Sequence, residues 1–130
     1  MDSLFVKRVR DIVSTHIKDP EFNVNRLADE VGLSYSQLAR RLRAEANMNP
    51  TRLIRAVRVE YAAGMIRDGH RNMTELGQKV GFSSLTYFSR SFKEHFGVSP
   101  LGYAKRYRNR SVTRRVHGVS MEDLQLARPE

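Results

Sequence analysis

Arg40 and Arg90 stand at matching positions of a pattern that the chain contains twice. Residues 27–50 return as residues 76–100, with one residue added in the second copy. On an exposed helix face, an arginine binds guanine O6 and N7 through two parallel hydrogen bonds, which discriminates against other bases by about 1–3 kcal/mol. The repeat therefore favours two DNA-reading surfaces in one chain.

Around each arginine, small, hydroxyl and basic side chains share one predicted helix face at the i, i+3, i+4, i+7 spacing. The residues expected to read bases are Tyr35, Ser36, Ala39 and Arg40 in the first copy and Leu85, Thr86, Ser89 and Arg90 in the second. Those expected to bind DNA phosphate are Ser34, Gln37, Arg43, Ser83, Ser84 and Lys93. Small side chains permit close approach to base edges, and the free amides of a helix N-terminus attract a phosphate oxygen.

Each copy has the pattern of a helix-turn-helix unit, which would present such a face to the major groove. Asn23 is predicted to cap the first short helix, and Gly32 provides the turn that leads into a recognition helix over residues 34–46. In the second copy, Asn72 is the predicted cap of the short helix, and the recognition helix covers residues 84–96. Ser34 and Ser83 are expected to cap the two recognition helices.

A long helix over residues 50–68 is predicted to join the two units, with Pro50 in its first turn. Its buried stripe is predicted to be Ile54, Val57, Tyr61 and Met65. Such a helix is about 27 Å long, and adjacent major grooves on one face of DNA lie about 34 Å apart. With the half-widths of the flanking helices added, this length suits a monomer that reads successive major grooves at two unlike half-sites.

The remaining pattern completes an all-α, seven-helix domain. An amphipathic first helix within residues 3–18 is predicted to turn inward Leu4 or Phe5, Val9, Ile12, His16 and Ile17, and a short seventh helix is predicted to begin at Pro100. The expected organisation is a first helix-turn-helix subdomain over 1–49, a linker helix over 50–68, a second subdomain over 69–108 and a basic tail over 109–130, with a short helix near 121–126.

The net charge of +9 is unevenly distributed, and the basic excess begins where the first recognition helix begins. Residues 34–60 carry six arginines, Arg58 among them, against two glutamates, and residues 105–115 carry six basic side chains and no acid. Such clustering is the electrostatic footprint of a protein that binds a polyanion. A solvated basic surface is the alternative interpretation of the charge alone.

Other function classes find less support in these residues. The sequence lacks the nucleophile–base pair, phosphate loop or paired carboxylates of an enzyme, and its four histidines lack metal-ligand spacing, so no catalysis, metal or cofactor is expected. The absence of cysteine and of a long apolar run favours a cytoplasmic protein. A protein-interaction module would not explain two matched basic faces, whereas architectural, sequence-neutral DNA binding remains the alternative function.

The chain resembles the DNA-binding domain of the AraC/XylS family of bacterial transcription regulators over residues 3–107. Residues 80–100 fit that family's C-terminal signature closely, and Leu27-Ala28, Gly32-Leu33-Ser34, Leu38 and Arg58 fit earlier positions. The resemblance implies seven helices with two helix-turn-helix units, the recognition positions named above, promoter DNA as the partner at the bacterial nucleoid, and RNA polymerase as a candidate second partner.

Three residues depart from the family pattern. Gly77 stands where alanine is usual, at a cost of about 1 kcal/mol in helix propensity, and is expected to loosen its helix; Asn47 replaces glycine, and Ala39 is a weak base reader. Residues 19–24 resemble versions fused behind sensor kinases of hybrid two-component systems. An excised output domain, monomeric when isolated, is therefore favoured over a small free-standing regulator.

Overall fold

The computed structural model describes residues 2–107, which form seven helices joined by short turns. In chain order these are α1 (Leu4–Thr15), α2 (Val24–Val31), α3 (Tyr35–Ala46), α4 (Pro50–Arg67), α5 (Met73–Lys79), α6 (Leu85–Phe96) and α7 (100–107). The predicted all-α fold, with two helix-turn-helix units on a long central helix, is confirmed. The predicted tail over 109–130 and its short helix lie outside the described residues.

The helix ends follow from the chemistry of single side chains. Asn23 and Asn72 cap α2 and α5 as predicted, each accepting a hydrogen bond from a backbone N–H three residues later. Ser34 and Gln37 form a capping box at α3: the hydroxyl accepts from the Gln37 N–H at 3.1 Å, and Gln37 Oε1 accepts from the Ser34 N–H at 2.9 Å. Asn47 ends α3 in the left-handed conformation, with φ 53°.

The cap of α6 is Ser84, and the prediction that Ser83 would cap it was wrong. The Tyr87 backbone N–H donates to Ser84 Oγ at 3.0 Å, and Ser84 has the extended backbone of a capping residue. The residue added in the second copy of the repeat therefore lies in the turn, before the helix begins. Ser84, rather than Ser83, is the structural counterpart of Ser34.

Two hydrophobic cores pack against α4 from different sides. The α4 residues of the first core, which contains residues of α1, α2 and α3, are Leu53, Ile54 and Val57. The α4 residues of the second core, which contains residues of α5, α6 and α7, are Val59, Ala62, Ala63 and Ile66. At about 100° of rotation per residue, the two sets point in roughly opposite directions from the helix axis. Both helix-turn-helix units therefore share one central helix.

This two-sided packing explains why the single buried stripe predicted for α4 was wrong. Ile54 and Val57 are buried, but Tyr61 is 46% exposed and Met65 is only half-buried. Tyr61 lies one turn beyond Val57, which is the last α4 residue of the first core. A pattern search that assumes one continuous inward face extends the first core past the point where it ends.

The inward face of α1 begins at Phe5, one of the two residues predicted to start it, which packs against the first core. Val9 is fully buried, and so are Val6 and Val13, whereas Leu4 is 85% exposed. His16 lies at the edge of the core, as predicted, because its ring stacks on Phe22 with centroids 4.4 Å apart.

Arg58 connects the two cores at the middle of α4. Its side chain is buried, and Nη1 donates to the carbonyl oxygens of Ile17 and Val80 at 2.7 Å each, while Nη2 donates to Asp19 O at 2.8 Å. Ile17 and Asp19 lie between α1 and α2, and Val80 directly follows α5. Burial lowers the pKa of Arg58, and the three carbonyl dipoles replace the water that the guanidinium has lost.

Two glycines allow close packing, Gly81 at the Arg58 guanidinium and Gly77 between α5 and α6. Gly81 has a φ of 94°, and a Cβ atom added there would lie 1.6 Å from Arg58 Nη1. At Gly77 an added Cβ would lie 3.1 Å from the buried ring of Phe88. The absent methyl group at Gly77, which the sequence indicated as a weakness of α5, is thus what lets α5 approach α6 so closely.

We predict that Gly81→Ala destabilises the domain far more than Gly32→Ala. Both glycines have positive φ, so each substitution strains the backbone by about 1–2 kcal/mol. Nothing lies within 4 Å of a Cβ at Gly32, whereas at Gly81 the methyl group would displace the Arg58 guanidinium from its carbonyls. The expected loss in free energy of unfolding for Gly81→Ala is about 3–5 kcal/mol, measured by urea denaturation. Equal losses for the two variants would contradict the role given to Arg58.

We also predict that Ser84→Ala lowers the free energy of unfolding by about 1 kcal/mol, because the Tyr87 N–H loses its acceptor. The matched variant Ser83→Ala should change it by less than about 0.5 kcal/mol, since Ser83 is exposed and is not the cap. Thermal or urea unfolding of the two variants measures this difference. A larger loss for Ser83→Ala would mean that α6 begins one residue earlier.

Candidate nucleic-acid interface

The first recognition surface is the outer face of α3. Leu38 and Leu42 are fully buried against the core, which fixes the rotation of the helix about its axis. On the opposite side, one open concave surface is lined by Tyr35, Ser36, Ala39, Arg40, Arg43 and Ala44. Ala39 is half-buried and the others are exposed. The structure thus brings together all four predicted base readers of the first copy and one predicted phosphate contact.

The second recognition surface is the outer face of α6, whose rotation about its axis is likewise fixed by a buried side. Phe88 and Phe92 are fully buried, and their rings pack edge to face with centroids 5.9 Å apart. The side chains expected to contact DNA are exposed apart from a half-buried Ser89; they are Leu85, Thr86, Ser89, Arg90 and Lys93. Ser83, Ser84 and Leu85 also line a depression that continues onto α5 at Thr74 and Gln78.

Both recognition helices present their N-terminal ends to solvent. Ser34, Ser83 and Ser84 are exposed, as is Gln37. The Gln37 amide oxygen is already used in the capping box, and the hydroxyls of Ser34 and Ser84 accept the cap hydrogen bonds. These hydroxyls keep their O–H donors, because a hydroxyl both donates and accepts. Each helix N-terminus can therefore offer a hydroxyl donor and backbone amides to an anion.

Tyr87 is a surface residue of α6 that the sequence analysis did not assign. It occupies the position that corresponds to Gln37, is 39% exposed, and packs edge to face on Phe82 with ring centroids 5.4 Å apart. An aromatic residue in the first turn of a predicted recognition helix was the signal in the sequence that could have identified Tyr87 as part of this surface. The two helices therefore differ in their first turns, with an amide in α3 and an aromatic ring in α6.

Two of the six arginines in residues 34–60 have structural partners, so the basic surface is smaller than the charge count indicated. Arg58 is buried in the centre of the fold. Arg41 lies over the ring of Phe5 at 3.8 Å and pairs with Glu45 at 3.0 Å. A hydrogen bond from Ser3, with a further one from Arg41, lowers the pKa of the Glu45 carboxyl. Arg40 and Arg43 remain as the exposed cations of the α3 face.

Within residues 2–107, no helix is long and apolar enough to cross a membrane. The same residues contain no cluster of three or more histidine, cysteine, aspartate or glutamate side chains arranged to hold a metal ion.

Comparison with known proteins identifies the family to which this arrangement belongs. A family model described as a helix-turn-helix domain matches residues 27–106. Among curated proteins, the chain is 29% identical over 107 residues to histidine kinase P4 of Formosa agariphila and 30% identical over 92 residues to the transcriptional regulator AdiY of Escherichia coli. These matches cover 82% and 71% of the chain but only 8% and 36% of the relatives.

Solved structures agree with the family model. The C-terminal domain of AraT, a response regulator from Geobacillus stearothermophilus, superposes with a TM-score of 0.70 and 27% identity, covering 80% of this chain and 86% of that one. The DNA-binding domain of AdpA, solved in complex with a target DNA, superposes with a TM-score of 0.72 and 25% identity, covering 83% and 96%. The chain therefore belongs to the AraC/XylS family and is a helix-turn-helix domain of the kind that its transcription regulators use for sequence-specific DNA binding.

Proposed function

We propose that α3 and α6 enter successive major grooves of promoter DNA and that a single copy of the chain reads both. The observation that carries this proposal is the pair of outward faces, each opposite a fully buried side of its helix and both held against α4. The 18 residues of α4 correspond to about 27 Å, a length compatible with recognition helices in adjacent grooves. Promoter binding would place the chain in the bacterial cytoplasm, with RNA polymerase as a neighbour on the DNA.

The two half-sites are expected to differ in sequence because the two faces carry different side chains. On α3, Arg40 is the main base reader, with Tyr35, Ser36 and Ala39 around it. On α6, Leu85 and Thr86 offer apolar contact to a thymine methyl group, and Arg90 offers two hydrogen bonds to guanine. Two unlike half-sites are expected to give an asymmetric operator, in contrast to the palindrome that a symmetric dimer reads.

Phosphate contacts at both ends of each helix would fix its position in the groove. The exposed serines at the helix N-termini supply hydroxyl donors beside free backbone amides, while Gln37 lies in the first turn of α3. Arg43 and Lys93 lie two turns further along the same faces as Ser36 and Thr86, where their charges can reach the DNA backbone.

We predict that Arg40→Ala and Arg90→Ala each relax base preference at a different half-site. Loss of a bidentate arginine contact should cost about 1–3 kcal/mol of discrimination at the contacted base. Selection of bound sequences from random DNA, carried out for the unmodified chain and both variants, measures the preference at every position. Arg8→Ala removes an equal charge from the exposed surface of α1 and is the matched control. If Arg40→Ala and Arg90→Ala altered the same bases, the two-groove arrangement would be wrong.

A salt titration separates this function from sequence-neutral architectural binding. At physiological salt, the selected DNA site should bind at least about 10³-fold more tightly than a scrambled duplex of the same length. Phosphate contacts alone would give equal affinities for the two duplexes, both falling steeply as salt increases. Fluorescence anisotropy over a range of salt concentrations measures both affinities, and equality would favour the architectural function.

A further inference from the structure

A half-open groove of about 220 Å³ runs along α4 between the two helix-turn-helix units. Its apolar walls come from both units: Phe22 and Val24 from the first, and Phe82 and Tyr87 from the second. The α4 residues that line it are Thr51, Ile54, Arg55 and Arg58. Neither recognition surface described above includes these α4 residues.

The groove combines apolar walls with two guanidinium groups and no carboxylate. Arg55 is half-buried and has no hydrogen bond or ion pair within residues 2–107. Arg58 uses three of its N–H groups on backbone carbonyls, although a guanidinium carries five. Asp19 accepts one of those hydrogen bonds through its backbone carbonyl. Its side-chain carboxylate pairs with Arg26 at 2.6 Å. Of the two guanidinium groups, Arg55 lacks a bonded negative partner within residues 2–107, whereas the charge of the Asp19 carboxylate opposes the lowering of the Arg58 pKa.

The side chains that line the groove favour one chemical class of ligand over others. A bare phosphate would lose hydration against the aromatic walls without gaining any apolar contact in return. A neutral aromatic compound would leave the guanidinium groups unpaired. An aromatic carboxylate satisfies both, because its ring can pack against the half-buried Val24 and the exposed ring of Tyr87 while its carboxylate accepts two hydrogen bonds from a guanidinium.

We propose that this groove binds a small aromatic carboxylate of one or two rings, with the carboxylate on Arg55 and the ring between the two helix-turn-helix units. The size follows from the volume, which lies below the roughly 300–1,000 Å³ of pockets for larger organic ligands. This proposal does not rest on DNA binding by the recognition helices. A ligand in the groove touches both units at once.

The test is an NMR titration of the DNA-free chain with 2-naphthoate, observed through backbone amide shifts. The expected result is saturable movement of the amides of Phe22, Val24, Phe82 and Tyr87. The neutral analogue 2-naphthalenemethanol should bind at least about tenfold more weakly, since it lacks the charge that pairs with Arg55. Inorganic phosphate is the third probe. If phosphate moved the same amides at equal or lower concentration than 2-naphthoate, the groove would be a site for DNA phosphate and the proposal would be overturned.

Two variants and one control locate the ligand. Arg55→Gln should weaken 2-naphthoate binding about tenfold, and Thr51→Glu should abolish it by placing a carboxylate in the groove. Glutamate suits the first turn of α4, so this variant should stay folded, which its amide spectrum shows directly. Arg52→Gln removes the same charge one residue away from Thr51, outside the groove lining, and should leave binding unchanged. Equal weakening by Arg52→Gln and Arg55→Gln would mean that net charge alone causes the loss of binding, which would contradict the proposed site.

Discussion

A buried guanidinium is the constraint on which the arrangement of this domain depends. Arg58 carries its charge into the centre of the molecule and has three backbone carbonyls as partners there. Two of these carbonyls follow α1 and the third follows α5, so they come from different helix-turn-helix units. Because an unsatisfied buried charge is very costly, the two units must keep these carbonyls within hydrogen-bond distance of one side chain. The same requirement excludes any side chain at Gly81.

The consequence for function is that the two recognition helices are held by a common support. Each has a fully buried side, which fixes the direction of its outer face, and both belong to cores that share α4. Successive major grooves have a set spacing, so a domain that reads them as a monomer needs a fixed separation between its recognition helices. In the proposed two-groove arrangement, the central helix and the Arg58 hydrogen bonds would keep that separation fixed. Residues of the central helix, Arg58 among them, also line the groove between the units.

Much of the candidate site could be predicted from the sequence because its information is local. Helix caps such as Asn23 and Ser34 depend on hydrogen bonds to residues three positions away, and the exposed faces of α3 and α6 follow from helical periodicity. The wrong predictions concern residues whose environment depends on distant parts of the chain. Ser83 and Ser84 are both suitable caps, and only the structure shows that Ser84 is the one that begins α6. Tyr61 fits a helical stripe, but the core that would cover it ends one turn earlier.

The sequence by itself determined the helical fold, the doubled recognition motif and the side chains that each motif exposes, because propensity, capping and periodicity act over a few residues. Only the tertiary structure decided that Arg58 is a buried connection rather than part of the basic surface, and that Gly77 allows α5 to pack closely against α6. Both depend on contacts between residues far apart in the chain. The charge of an arginine can be read from its type, but its burial depends on which carbonyls the fold brings to it.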